Sequence, residues 1–148
     1  TLYGPDYHTD GRQMHFIFDV IRKIVRAKFL GETVTLWGDG WQRRELIHVE
    51  DFVSILLKLA NGCEFDLVNI GAGEEFAIRH FAEVVCRLVG YDHELIQYDT
   101  SRYVGATSKC LRIERLKGLI PELRLTPLEV GLKQTVDWFL SHKERFLK

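Results

Sequence analysis

Segments whose apolar residues recur every three or four positions alternate along this chain with short runs of β-branched and aromatic residues. That alternation restricts the fold to the α/β class. From Met14 to Leu30, the residues Phe16, Ile17, Val20, Ile21, Ile24, Val25 and Phe29 follow helix period, and Gly31 supplies a C-cap. Thr33 to Trp37 alternates as a strand, Gly38-Asp39-Gly40 reads as a turn, and Arg43 to Ile47 reads as a second strand; together they predict a hairpin-like unit. His48 to Ala60 returns to helix period, with Glu50 and Asp51 at the positive end of the helix dipole and Gly62 closing it. Phe65 to Ile70 predicts a buried strand, Gly71-Ala72-Gly73 a tight turn, Ala77 to Leu88 a helix, Glu94 to Tyr98 a strand and Asp99 to Lys109 a loop. Thr126-Pro127-Leu128-Glu129 has the capping-box arrangement. The helix that follows is predicted to reach about Leu140, burying Leu128, Leu132, Val136 and Phe139.

At 148 residues the chain suits one domain, and its 46% hydrophobic and 28% charged residues give an ordinary globular composition. A formal net charge of −1 with both signs interspersed, and no long basic block, argues against a nucleic-acid partner. No apolar run approaches the ~20 residues of a membrane-spanning helix, so no membrane partner is expected and a cytoplasmic location is the default expectation. Cys63, Cys86 and Cys110 are odd in number and widely spaced, which predicts neither a zinc site nor a disulfide frame. Cys86 falls on the apolar face of its helix and reads as a small buried hydrophobe.

Gly71-Ala72-Gly73, between a predicted strand and a predicted helix, invites comparison with a dinucleotide-binding loop. The third glycine of such a loop would fall at Phe76, and Glu74 and Glu75 would repel a pyrophosphate, so a plain turn is expected. The run from Trp37 to Asp51 is more informative. An aromatic face at one strand end beside Arg43 and Arg44 can offer a guanidinium fork to phosphate and a flat surface to a base or sugar. The residues alone favour the plainer account, surface arginines paired with Glu45 or Glu50.

Leu2-Tyr3-Gly4-Pro5, the run Trp-Gly-x-Gly-x-x-Arg-Arg-Glu-x-x-His-Val-x-Asp over 37–51, Val68-Asn69-Ile70-Gly71-x-Gly and Ile78-Arg79-x-x-Ala82-Glu83 succeed one another in this order. The chain resembles, over essentially its whole length, the C-terminal half of the extended short-chain dehydrogenase/reductases, the NAD-dependent epimerase/dehydratase family. Trp37-Gly38 and Arg43-Arg44-Glu45 are most similar to its GDP-L-fucose synthase subfamily, whose members epimerise and reduce GDP-4-keto-6-deoxymannose.

The resemblance implies an α/β fold that forms the substrate-binding portion of a Rossmann-type enzyme. Residues 1–148 would then be a single lobe, with 48–70 supplying elements that normally complete the Rossmann sheet. His15 matches the family's acid for epimerisation, a role suited to imidazole because it titrates near neutral pH. Lys23 matches a basic substrate contact, Trp37 a base or ribose neighbour and Arg44 a diphosphate ligand. Lys109 lies where a late loop makes further substrate contacts. Leu2, Tyr3, Gly4 and Pro5 follow the loop that meets the cofactor near its nicotinamide.

The implied partner is a GDP-sugar and the implied cofactor of the full-length parent is NADP or NAD. The alternatives are a UDP- or dTDP-hexose epimerase or 4,6-dehydratase, or a non-catalytic binding or interaction module. The chain departs from the family at Thr1, where Asn is usual, at Phe18 and Asp19, and at Val104, where an acidic residue precedes Gly105. It opens without Met, and the family's glycine-rich loop, Ser and Tyr-x-x-x-Lys set and epimerisation cysteine would lie upstream. The chain alone is therefore expected to bind no cofactor and to perform no hydride transfer. Apolar faces left without sheet neighbours lead to an expectation of self-association or a homo-oligomer.

Overall fold

The computed structural model describes residues 1–8, 10, 12–62 and 67–147. Its frame is three amphipathic helices: α1 (Phe16–Leu30), α3 (Ile78–Val89) and α5 (Leu128–Ser141). All three pack on one another. Ile17, Ile21, Ile24 and Val25 of α1, Phe81 and Val85 of α3, and Leu132, Val136 and Phe139 of α5 have essentially no solvent exposure. Each such side chain contributes about 1.5–3 kcal/mol through removal from water. As predicted, Gly31 ends α1 in the left-handed conformation, φ 72°, with its N–H on Ala27 O. Cys86 lies inside this core as expected, and burial first, with Asp92 second, pushes its thiol up to about 12.

Among the described residues the strands form three short ladders. β1 (Leu2–Tyr3) runs parallel to β4 (Ile47–His48), and β2 (Thr35–Trp37) runs parallel to β6 (Gln97–Asp99). β3 (Arg43–Arg44) is antiparallel to β5 (Phe76–Ala77). The predicted hairpin over 33–47 is therefore absent. Residues 38–42 carry the chain away from β2, and the backbone of 43–45 exchanges hydrogen bonds with Thr107 and Lys109 instead. Of the strand predicted over 65–70, Phe65 and Asp66 lie outside the described residues, and 67–70 forms no ladder.

α2 (Val49–Ala60) forms as predicted, but its C-cap is Asn61 rather than Gly62. It buries only Ile55 fully and leaves Val53, Leu56 and Leu57 exposed. A second, smaller core joins Ile47 and Ile55 to Ile113, Leu116 and Ile120, around the short helix α4 (Glu114–Leu119) that periodicity had not indicated.

The capping box at α5 is not made. Thr126 donates both its N–H (2.7 Å) and its hydroxyl (3.0 Å) to the Asp51 carboxylate, and Glu129 pairs with Arg87. The residues expected to close a local cap thus tie α5 to α2 and α3. Among the described residues no helix is long and apolar enough to cross a membrane.

Candidate functional site

A cleft of about 720 Å³ opens between the start of α1, the end of β2 and the loop after β6. Its wall includes Met14, Phe16, Asp19, Lys23, Trp37 and Arg44, with Tyr103, Val104 and Gly105 contributed by the loop. That size lies within the usual ~300–1,000 Å³ of small-molecule sites. α1 directs a charged row into it because positions 19, 22 and 23 share one helix face. Asp19 accepts from Arg22 (2.6 Å) and from Lys23 (2.9 Å), and Lys23 also donates to Thr35 O (3.0 Å). Burial works to raise the Asp19 carboxyl, but the hydrogen bonds from Lys23 and Arg22 prevail and hold it below its ordinary range.

Two cations share that one carboxylate, so this corner keeps a net positive charge. Arg44 adds a second, because its guanidinium, among the described residues, donates to neutral carbonyls: Arg43 O at 2.7 Å, Ala106 O at 2.8 Å and Val104 O at 3.0 Å. Arg12 also lines the cleft and pairs with Asp10. A largely apolar wall with surplus positive charge in a partly enclosed space suits an anionic ligand with an apolar or aromatic part. Trp37, 54% exposed, provides a ring face there.

Lys23, Trp37 and Arg44, singled out from sequence, are brought together in this cleft. Arg44 acts in the free chain as a fastener for the late loop, and neither Arg44 nor Arg43 pairs with Glu45 or Glu50; Arg43 pairs with Glu75 at 3.0 Å. His15 is the exposed N-cap residue of α1, between Met14 and Phe16 of the cleft wall, but its own side chain is not part of that wall. Lys109 lies away from the cleft, its backbone N–H bonded to Glu75 and to Arg43 O. Asp19, one of the departures from the family pattern expected to bear on the pocket wall, does line the cleft, whereas Arg12, Arg22 and Tyr103 join it without having been singled out from sequence. The spacing of Asp19 to Arg22 and Lys23, one helical turn, was the available signal for Arg22.

Of the segment expected to meet a cofactor, Leu2 and Pro5 are exposed while Tyr3 and Gly4 are buried. The Tyr3 ring stands edge-on to His48, with centroids 5.4 Å apart, so that side chain is a core group. The Gly71-Ala72-Gly73 turn is a plain turn, as expected. Its Gly73 N–H is bound at 2.6 Å by the Glu45 carboxylate, which is 5% exposed and also accepts from Leu111 N–H at 3.0 Å. A Cβ at Gly71 would come within 2.5 Å of the same carboxylate. An internal anion already occupies the turn, so these residues do not fit a dinucleotide phosphate. Among the described residues no group of His, Cys, Asp and Glu is arranged to hold a metal ion.

An α/β lobe with a basic, aromatic cleft at its first helix defines a class, and comparison with known proteins agrees: the model of the NAD dependent epimerase/dehydratase family matches residues 1–71. That match covers just under half of the chain. Among curated relatives it is similar to GDP-L-fucose synthase of Azorhizobium caulinodans, 33% identical over 148 residues, covering 97% of this chain and 46% of the relative. It is also similar to dTDP-4-dehydro-6-deoxy-D-allose reductase of a Streptomyces species, 34% identical over 142 residues, covering 96% of this chain and 42% of the relative. A crystal structure of GDP-L-fucose synthetase from Naegleria fowleri bound to NADP shares the fold, with TM-score 0.88 and 24% identity over 99% of this chain and 46% of that one. The chain thus spans about half the length of the relatives it matches and forms part of the Rossmann-type epimerase fold.

Proposed function

We propose that this chain is the nucleotide-sugar-binding lobe of an NAD(P)-dependent epimerase/reductase, and that its ligand is a GDP-sugar. The observation that carries this reading is the meeting of Lys23, Arg22 and Arg44 with the exposed Trp37 ring in one cleft. The cations suit a diphosphate, and the indole suits the base or ribose. His15, at the start of α1 between two wall residues, is the candidate acid for the epimerisation step. A bound nicotinamide cofactor, NADP or NAD, would supply hydride chemistry, and Leu2 and Pro5 offer the exposed surface of the segment assigned to meet it.

The test is calorimetric titration of the protein with GDP, UDP, dTDP and ADP, alongside Lys23→Met. Selective GDP binding, weakened in Lys23→Met by the ~1.5–3 kcal/mol of a charge-assisted contact, supports the proposal. Preference for dTDP or UDP would move the reading to the hexose epimerases and dehydratases. Binding of none of the four would overturn it.

A further inference from the structure

Away from the cleft, β1, β4, the first turn of α2 and the start of α5 converge on a small cavity of about 20 Å³, whose wall includes Tyr3, His48, Asp51, Glu74 and Thr126. Tyr3 and His48 are each 2% exposed, yet Tyr3 Oη and both imidazole nitrogens of His48 have no hydrogen-bond partner among the described residues. Buried polar atoms in folded proteins are nearly always paired, with protein or with ordered water. Three such atoms at one junction point to a ligand that pairs them.

The surroundings say what that ligand can be. Gly131 lets α5 close on both rings: the position a Cβ would take there is 2.2 Å from Tyr3 Oη and 3.0 Å from His48 Cδ2, so hydroxyl and imidazole meet at one spot. The Asp51 carboxylate accepts from Thr126 N–H at 2.7 Å and from the Thr126 hydroxyl at 3.0 Å, one bond on each oxygen, and each oxygen keeps a further lone pair to offer. Burial first, and the Asp51 charge second, raise the Tyr3 phenol above its ordinary range. At neutral pH the phenol is therefore protonated and can donate.

We infer that this cavity is the binding site of a single internal water molecule, which joins Tyr3 to Asp51 and to one imidazole nitrogen of His48. A water needs roughly 10–15 Å³ of such space and two to four polar partners. The cavity has room for one and for no larger ligand, and Tyr3, His48 and Asp51 supply three partners. The water accepts from the Tyr3 hydroxyl, donates to the Asp51 carboxylate and takes the His48 nitrogen as its third contact. Glu74 is exposed and keeps its contact with bulk solvent. A dry cavity would strand a phenol and an imidazole beside a charge. The water thus ties β1 to the start of α2 and, through Asp51 and Thr126, to α5. It belongs to the scaffold and does not depend on the nucleotide-sugar reading.

The experiment pairs a crystal structure of the protein with oxygen-17 relaxation dispersion, which counts waters held far longer than surface hydration, on the parent, Tyr3→Phe and Tyr3→Phe/His48→Leu. The expected density is one peak at hydrogen-bond distance, about 2.7–3.2 Å, from Tyr3 Oη and from the Asp51 carboxylate. Tyr3→Phe is expected to shorten the residence of that water, and the double variant, which retains one of the three partners, to hold one long-lived water fewer than the parent. A parent cavity without density, a Tyr3 Oη bonded directly to Asp51 or His48, or an unchanged water count in the double variant would overturn the assignment. If the double variant does not fold, the parent's density and the residence time in Tyr3→Phe decide between the same outcomes.

Discussion

Gly131 lies on the buried face of α5, directly against the residue that anchors β1. A Cβ built there would stand 2.2 Å from Tyr3 Oη, 2.8 Å from Tyr3 Cζ and 3.0 Å from His48 Cδ2. Two effects of opposite sign therefore meet in Gly131→Ala. The helix interior favours Ala over Gly by about 1 kcal/mol. Against that, the Tyr3 ring would have to move by roughly an ångström within a core where it is 2% exposed and braced by His48. Overpacking of such a site costs typically ~1–3 kcal/mol and more when the neighbour is rigid. The packing effect should offset the propensity gain or exceed it, giving a net loss of up to about 2 kcal/mol and a fall in Tm of up to roughly 8 °C. Thermal and urea unfolding of the parent, Gly131→Ala, Tyr3→Phe and the double variant provide the assay. Removing the Tyr3 hydroxyl takes away the 2.2 Å contact but leaves the ring carbon at 2.8 Å, so Tyr3→Phe should recover only part of the loss. A Gly131→Ala protein that is more stable than the parent, as at an unobstructed helix position, would refute the close approach of α5 to β1.

Glu45 provides a second test of the scaffold beneath the cleft. Glu45→Gln turns an amide N–H₂ toward one of the two backbone donors, Gly73 N–H or Leu111 N–H, and should cost ~1–3 kcal/mol in chemical denaturation; unchanged stability would contradict the assigned bonds. Asp19 gives a pH signature. Its carboxyl is held below the ordinary value of 3.8, so its contribution to stability is complete above that value and is lost as pH falls through the depressed folded-state value. Asp19→Asn should flatten the acid limb of stability against pH below about pH 4, and urea midpoints that fall equally steeply in both proteins would sink the assignment.

How much was legible depended on the range of the interaction concerned. α1, α2 and α3 could be read nearly to their ends because burial of one helix face imposes its period on neighbouring positions, and Gly31 could be read as a cap because the left-handed turn is set within a few residues. Lys23, Trp37 and Arg44, which line the cleft, could be singled out only through ordered motifs that resemble those of a family. Their spacing alone favoured surface ion pairs. Asp19 escaped notice as the group holding two of the cleft's cations, although its helical spacing carried the information.

The sequence by itself determined α1, α2, α3 and α5, the turn at Gly71-Ala72-Gly73, the buried state of Cys86 and membership of the α/β class, since each follows from local periodicity, local sterics or side-chain hydrophobicity. Only the tertiary structure decided which partners the short strands and polar side chains took. Thr35 pairs with Gln97 rather than across the adjacent glycines, Thr126 binds Asp51 instead of capping its own helix, and Arg44 fastens the loop that carries Tyr103. In each case the local partner and the distant one offer similar hydrogen bonds. The choice between them is made by the packing of α1, α3 and α5, which fixes where the distant partner stands.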